Sequence, residues 1–254
     1  MLKRIKPYVP KKLRSFGKKA LQSKLAISLF KNANSENLRT LAVLYGTDKW
    51  GVHWYMEHYE THFRPFRNKR IKLLEIGVGG YDNPENGGHS LRVWKQYFRS
   101  AQIFSFDIHD KSRLQEDRIR IFQGSQVDSN FLQSLLIETG ELDIIIDDGS
   151  HIVNHIIETF KLLFPHLKNG GLYVIEDLHT SYHDEFGGDR KDLDNPKTSM
   201  NFLKSLTDCL NYQEYLGVGE EPSYFDKHIS SIHFYHNLVF IYKGLNDEMP
   251  SNRH

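Results

Sequence analysis

Apolar positions in this chain fall into short unbroken runs that end on a carboxylate or a glycine. Ile144-Ile145-Ile146 runs into Asp147-Asp148-Gly149-Ser150-His151, and Leu172-Tyr173-Val174-Ile175 runs into Glu176-Asp177. Lys72-Leu73-Leu74-Glu75-Ile76 leads to Gly77-Val78-Gly79-Gly80, and Ile103-Phe104-Ser105-Phe106 leads to Asp107. Continuous runs of this length, rich in Ile and Val, read as strands buried on both faces, as in a parallel sheet. Arg120 to Asp128 gives a further strand and turn. Between the runs the spacing turns helical. Ser90 predicts an N-cap for a helix through Leu91, Trp94 and Phe98, and a short helix spans Asn130 to Thr139. Val153 to Leu167 places Ile156, Phe160, Leu163 and Phe164 on one face and stops near Lys168-Asn169-Gly170-Gly171. Met200 to Leu210 is helical, and Ile232 to Tyr242 predicts two strands around a tight turn at His236-Asn237.

The first third of the chain departs from this rhythm. Residues 1–35 carry Lys and Arg but no acid before Glu36, with helical spacing over Leu21 to Phe30. This predicts a basic, partly helical arm, solvated or else used at a membrane surface or a subunit contact. Residues 36–66 look helical around a Gly-bracketed cluster, Leu44-Tyr45-Gly46-Thr47-Asp48-Lys49-Trp50-Gly51, with His53, Trp54, Tyr55 and His58 close behind. Such a cluster reads either as a lid over a pocket or as a helix–loop–helix packed on the sheet. The expected organisation is an arm over 1–40, a catalytic domain over 41–246 and a polar tail over 247–254.

Composition narrows the partners. A formal charge of +1 excludes a polyanion-binding signature, so nucleic acid is not expected. With Cys209 as the one cysteine there is neither an internal disulfide nor a cysteine-based zinc site. No apolar run approaches a membrane span, and lysines interrupt any signal-peptide core near the start. A cytoplasmic protein is expected.

The candidate chemistry lies where the strands end. Open α/β sheets bind ligands past the carboxyl ends of their strands. Asp147, Asp148, Glu176 and Asp177 would therefore meet in one small region. Clustered carboxylates repel unless a cation neutralises them, and hard oxygen donors suit Mg²⁺, Ca²⁺ or Mn²⁺. His151, three residues past Asp148, could accept a proton beside such an ion, although taken alone it reads first as a helix N-terminal residue with a satisfied ring. The glycine turn fails the dinucleotide pattern G-x-G-x-x-G, because Asp82 stands at the sixth position. An acid, Glu75, instead precedes G-x-G by two residues. Asp107 at the end of the next strand could take ribose hydroxyls or cap a helix. Gln126 or Asp128 could meet an adenine ring or simply form a turn. The polar stretch from Leu178 to His183, with Gly187-Gly188, would make a substrate wall.

Several stretches together resemble one family. They are Tyr45 to Lys49, Glu75 to Tyr81, Gly87 to Trp94, Asp107 to Ser112, Asp147 to His151 and Ile175 to Tyr182. They look like the metal-dependent O-methyltransferases that act on macrolide sugars in the mycinamicin and tylosin pathways. The resemblance covers roughly residues 41–190 and not the arm, and a counterpart of the large N-terminal extension of some macrolide enzymes is not expected. It implies a Rossmann-like class I methyltransferase fold: a mostly parallel seven-stranded sheet with a C-terminal antiparallel hairpin and helices on both faces. It implies S-adenosylmethionine at Glu75, Gly77, Gly79, Tyr81, Ser90, Asp107, Gln126 and Asp147. It also implies Mg²⁺ (or Mn²⁺) held by Asp148, Glu176 and Asp177, with His151 as general base. The residues alone do not choose Asp148 over Asp147 as ligand; Asp147 could lie toward the cofactor or fix a loop. The expected acceptor is a sugar diol on a glycoside, polysaccharide or antibiotic, and the expected assembly is a homo-oligomer. A catechol-like acceptor, or a non-catalytic methyltransferase-fold subunit, is the alternative.

Overall fold

The computed structural model describes residue 33, residues 36–217 and residues 219–250. The basic arm therefore falls almost wholly outside the described residues, as does the end of the polar tail. Seven strands form one sheet: β1 (Lys72–Ile76), β2 (Gln102–Asp107), β3 (Ile119–Gln123), β4 (Leu142–Asp147), β5 (Leu167–Ile175), β6 (Ile229–Tyr235) and β7 (Leu238–Lys243). Their order is β3-β2-β1-β4-β5-β7-β6. The first five pair in parallel, and β7 runs antiparallel to both β5 and β6. The expected mostly parallel sheet with a terminal hairpin is what the chain forms. The hairpin turns on His236-Asn237, where Asn237 takes φ 60°. Asn tolerates that left-handed backbone better than most non-glycine residues.

Strand alternation sends side chains to two separate cores. Leu73, Ile144, Ile146, Leu172 and Val174 pack on one face with Leu41, Tyr59, Phe63 and Trp94, from helices Leu38–Tyr45, Met56–Phe63 and His89–Tyr97. Leu74, Ile76, Ile145, Tyr173 and Ile175 pack on the other with Leu132, Ile156, Phe160 and Leu203, from helices Ser129–Thr139, Val153–Leu163 and Ser199–Ser205. Each fully buried aliphatic or aromatic side chain contributes roughly 1.5–3 kcal/mol. β1, β4 and β5 are thus continuous apolar runs because both faces are covered. The register aligns Glu75 with Ile146, and Ile146 with Val174. Two residues further along, Asp148 and Glu176 continue that row on the first face.

Three local expectations are corrected. The helix beginning at His89 is capped by Gly88 in the left-handed region, not by Ser90. The Ser90 hydroxyl instead turns inward and donates to Glu75 Oε2 at 3.0 Å. The helix from Val153 ends at Leu163, ahead of a 3-10 turn over Phe164–His166 that holds Pro165. Lys168 to Gly171 already belong to β5. The segment after Met200 breaks into the helix Ser199–Ser205 and a 3-10 turn over Asp208–Asn211.

His62 couples the sheet edge to pH. Its Nδ1 lies 2.9 Å from the Tyr242 hydroxyl and its Nε2 3.0 Å from that of Tyr235. The ring stacks on Phe240 and neighbours His233, while His58 stacks on Tyr235. Burial first, then His233 and His58, push its pKa down from 6.5 to about 4. A lowered folded pKa means that the unfolded chain binds the proton first. Stability is therefore expected intact above pH 6.5 and lost as pH falls from 6.5 toward about 4. Urea midpoints measured across that window for wild type and His62→Asn check this; the variant should lose less stability on acidification.

Candidate active site

The loops after β1, β2, β3 and β4 enclose a cavity of about 670 Å³ at the carboxyl edge of the sheet. That is a volume typical of small-molecule and cofactor sites. β1 and β4 are neighbours whose chain continuations leave to opposite sides, the place where open α/β sheets bind ligands. Gly77, Gly79, Tyr81, Ser90, Asp107, Gln126, Asp148, His151 and Asp177 all line the cavity. Gly77 has φ +91°, and a Cβ there would stand 2.2 Å from the Asp148 carbonyl oxygen. The first glycine of the turn is thus what lets the β1 and β4 loops touch. Asp107 braces both cavity loops, accepting from the Val78 and His109 amides at 3.0 Å each.

Of the two candidates near the third strand, Gln126 faces the cavity. Its Oε1 accepts from the Ser150 amide at 2.8 Å and its Nε2 donates to Thr159 at 3.1 Å. Asp128 instead caps the helix that begins at Ser129, accepting from the Asn130 and Phe131 amides.

Glu75 and Asp147 do not line the cavity, so direct contact between either carboxylate and a ligand is not what the geometry offers. Glu75 is fully buried and also accepts from Trp94 Nε1 at 2.8 Å. Burial raises its pKa to about 7. Its route to the cavity runs through Ser90. Asp147 points to the opposite face of the sheet, because it follows Ile146 by one residue. There Gln126 and the Gly149 amide donate to its Oδ1, and burial raises its pKa to about 7.

Asp148, His151 and Asp177 converge. One ligand atom from each lies within 4.8 Å of the others. His151 Nε2 stands 4.0 Å from Asp148 Oδ1 and 3.8 Å from Asp177 Oδ2. His151 and Asp177 both hold left-handed backbone, φ 57° and 54°. Such conformations cost energy in non-glycine residues and collect at functional sites. Glu176, the third expected ligand, is 2% exposed and is held differently. Its Oε1 accepts from Lys49 Nζ at 2.7 Å and from the Tyr59 hydroxyl. Burial pushes its carboxyl well above the usual range, and the Lys49 ammonium offsets part of that rise.

The residues fit a divalent cation. The carboxylates of Asp148 and Asp177 converge beside His151, and hard oxygen donors suit such an ion; Glu176 does not line the cavity and is tied to Asp148 through Lys49 Nζ.

Sequence reading missed Lys49, Tyr55 and Tyr59 as individual site residues. Lys49 lines the cavity, and the Tyr55 hydroxyl donates to Asp177 Oδ1 at 2.7 Å. The one signal was the crowding of polar and aromatic groups between Gly46 and His58. Gly46, Thr47, Asp48 and Lys49 do cover one side of the cavity.

This is the class I methyltransferase fold, shared with the MycE methyltransferase. The chain's close homologues are macrolide-sugar O-methyltransferases of antibiotic pathways. The demethylmacrocin O-methyltransferase of Streptomyces fradiae is 48% identical over 214 residues, which are 84% of this chain and 54% of that protein. The mycinamicin VI 2''-O-methyltransferase of Micromonospora griseorubida is 48% identical over the same shares of each chain. The solved structure of the MycE methyltransferase of the mycinamycin pathway, in complex with Mg, SAH and mycinamycin VI, superposes with a TM-score of 0.82 at 47% identity. That match covers 85% of this chain and 56% of MycE. The chain thus spans about half the length of the curated relatives it matches. No family model matches it.

Proposed function

We propose that this protein transfers a methyl group from S-adenosylmethionine to a sugar hydroxyl of a glycosylated small molecule, with a divalent cation at Asp148, Glu176 and Asp177 and His151 as general base. The observation that carries this reading is the convergence of Asp148, His151 and Asp177 at the rim of a cavity floored by the glycine turn and Asp107. The cofactor would lie along Gly77, Gly79, Tyr81, Ser90, Asp107 and Gln126, with Glu75 and Asp147 supporting those contacts from beneath. Bound in these places, S-adenosylmethionine would supply an activated methyl group and Mg²⁺ or Mn²⁺ would draw charge from the acceptor oxygen.

The chain's own residues do the rest. The cavity walls hold the acceptor in line with the methyl group, which removes much of the entropic barrier. As the O–CH₃ bond forms and the S–CH₃ bond breaks, His151 takes the hydroxyl proton at Nε2. Asp177 Oδ2 and Asp148 Oδ1 flank that nitrogen at 3.8 and 4.0 Å. A sugar diol on an antibiotic-type glycoside is the acceptor favoured by the relatives' names, and vicinal hydroxyls suit a paired oxygen-binding site. Among the described residues no helix is long and apolar enough to cross a membrane.

The test is a mass shift of one methyl group. The chain is incubated with S-adenosylmethionine and Mg²⁺ and offered free, lipid-linked and polyketide-linked sugars, with catechol alongside. A methylated sugar that disappears with EDTA is expected. Methylation of catechol alone would overturn the sugar assignment, and turnover unaffected by EDTA would overturn the cation.

A further inference from the structure

We infer that Lys49 is a positioning residue for the cation site, an internal ammonium that turns Asp148 and Glu176 so that one oxygen of each faces the ion. The inference rests on the cation reading above. Its ground is a buried cluster that no single element makes. Lys49 is 1% exposed, although it sits in a loop. Its Nζ lies 2.6 Å from Asp148 Oδ2, 2.7 Å from Glu176 Oε1 and 3.5 Å from Glu75 Oε1. One cation therefore joins the acids that end β4 and β5 to the buried acid of β1.

The loop is built to deliver it. Gly46 and Gly51, at φ 74° and 98°, let the chain reverse on either side of Lys49. The Tyr55 amide donates to the Lys49 carbonyl at 3.2 Å, and the His53 amide to that of Asp48 at 2.9 Å. Lysine pays up to ~2 kcal/mol of rotamer entropy when fixed, so a solvent-facing loop has no reason to bury one.

The contacts divide each carboxylate in two. Asp148 gives Oδ2 to Lys49 and keeps Oδ1 toward His151. Glu176 gives Oε1 to Lys49 and to Tyr59. Groups that orient metal ligands in this way are typically worth 10–100-fold in metal affinity. Coulomb attraction alone argues the opposite sign, because removing an ammonium from among three carboxylates would tighten cation binding. The two effects are therefore separable by experiment.

Mn²⁺ serves as the probe, with its free fraction read by electron paramagnetic resonance on the full chain, without acceptor or turnover. Lys49→Met, similar in length and uncharged, is expected to weaken Mn²⁺ binding about 10–100-fold. Tyr59→Phe removes the other donor to Glu176 Oε1 without changing charge, and is expected to shift binding in the same direction by less. S-adenosylhomocysteine affinity, measured by calorimetry, should fall less than Mn²⁺ affinity, since collapse of the pocket would weaken both alike. Saturating Mg²⁺ should restore turnover in Lys49→Met. Unchanged or tighter Mn²⁺ binding in Lys49→Met overturns the inference. If that variant does not fold, Tyr59→Phe binding Mn²⁺ as wild type does would overturn it. Failure of the wild type itself to bind Mn²⁺ would bring down the cation reading as well, and that result is distinct from the others.

Discussion

His151→Ala is expected to lose about 10²–10⁴-fold in turnover while still binding S-adenosylmethionine, the range general-base assistance normally supplies. The reason is positional. His151 lines the cavity with a left-handed backbone, and its Nε2 stands 3.8 Å from Asp177 and 4.0 Å from Asp148. Neither contact is a hydrogen bond, so the ring is not a satisfied structural histidine held in one pose. His155, four residues on, contrasts with it: its Nδ1 lies 2.8 Å from the Ser150 hydroxyl. Loss of the imidazole should leave the glycine turn, Asp107 and Gln126 in place, because their hydrogen bonds run to other groups. The measurement is single-turnover methyl transfer beside calorimetry with S-adenosylhomocysteine. Turnover within a few-fold of wild type would remove His151 from the reaction. A parallel loss of cofactor binding would reassign it to the pocket wall.

The sheet was legible from the chain because its strands are continuous apolar runs, and such runs demand cover on both faces. The convergence of acids followed from the same runs, since each ends on its carboxylates. What could not be read was which acid turns which way. Asp147 and Asp148 are adjacent, so the pleat must send them apart. Only once Ile146 is known to share a face with Leu73 and Val174 does Asp148 fall beside Glu176 and Asp147 fall beside Gln126. The face carrying the site is a property of the loops, not of the strands.

Lys49 and Tyr59 were hidden for a related reason. The carboxylates they hydrogen-bond, Asp148 and Glu176, lie 99 to 127 residues away, and a loop that docks across the sheet leaves no periodic trace. The capping error at Ser90 has the same origin. Its hydroxyl suits an N-cap in isolation, but a buried carboxylate at Glu75 needs donors more urgently than a helix end open to water. Gly88 then closes the helix by backbone geometry alone.

Asp148→Ala is the substitution expected to cost most at the cation site. Asp148 is the junction of the arrangement, with Oδ2 on Lys49 and Oδ1 toward His151. Removing it deletes a proposed cation ligand and one of the carboxylates that neutralise the buried ammonium. Mn²⁺ affinity should fall at least about 100-fold, the upper end of what mere orienting groups deliver, and methyl transfer should become undetectable at ordinary Mg²⁺. Asp147→Asn is the internal control. That side chain lies on the other face of the sheet, 2% exposed, with Gln126 for company. It should keep Mn²⁺ binding near the wild-type value. The pair of variants tests the pleat argument directly, since the two residues are chemically identical neighbours. If Asp147→Asn lost the ion and Asp148→Ala kept it, the assignment of faces would be reversed; if both kept it, the cation would be held elsewhere.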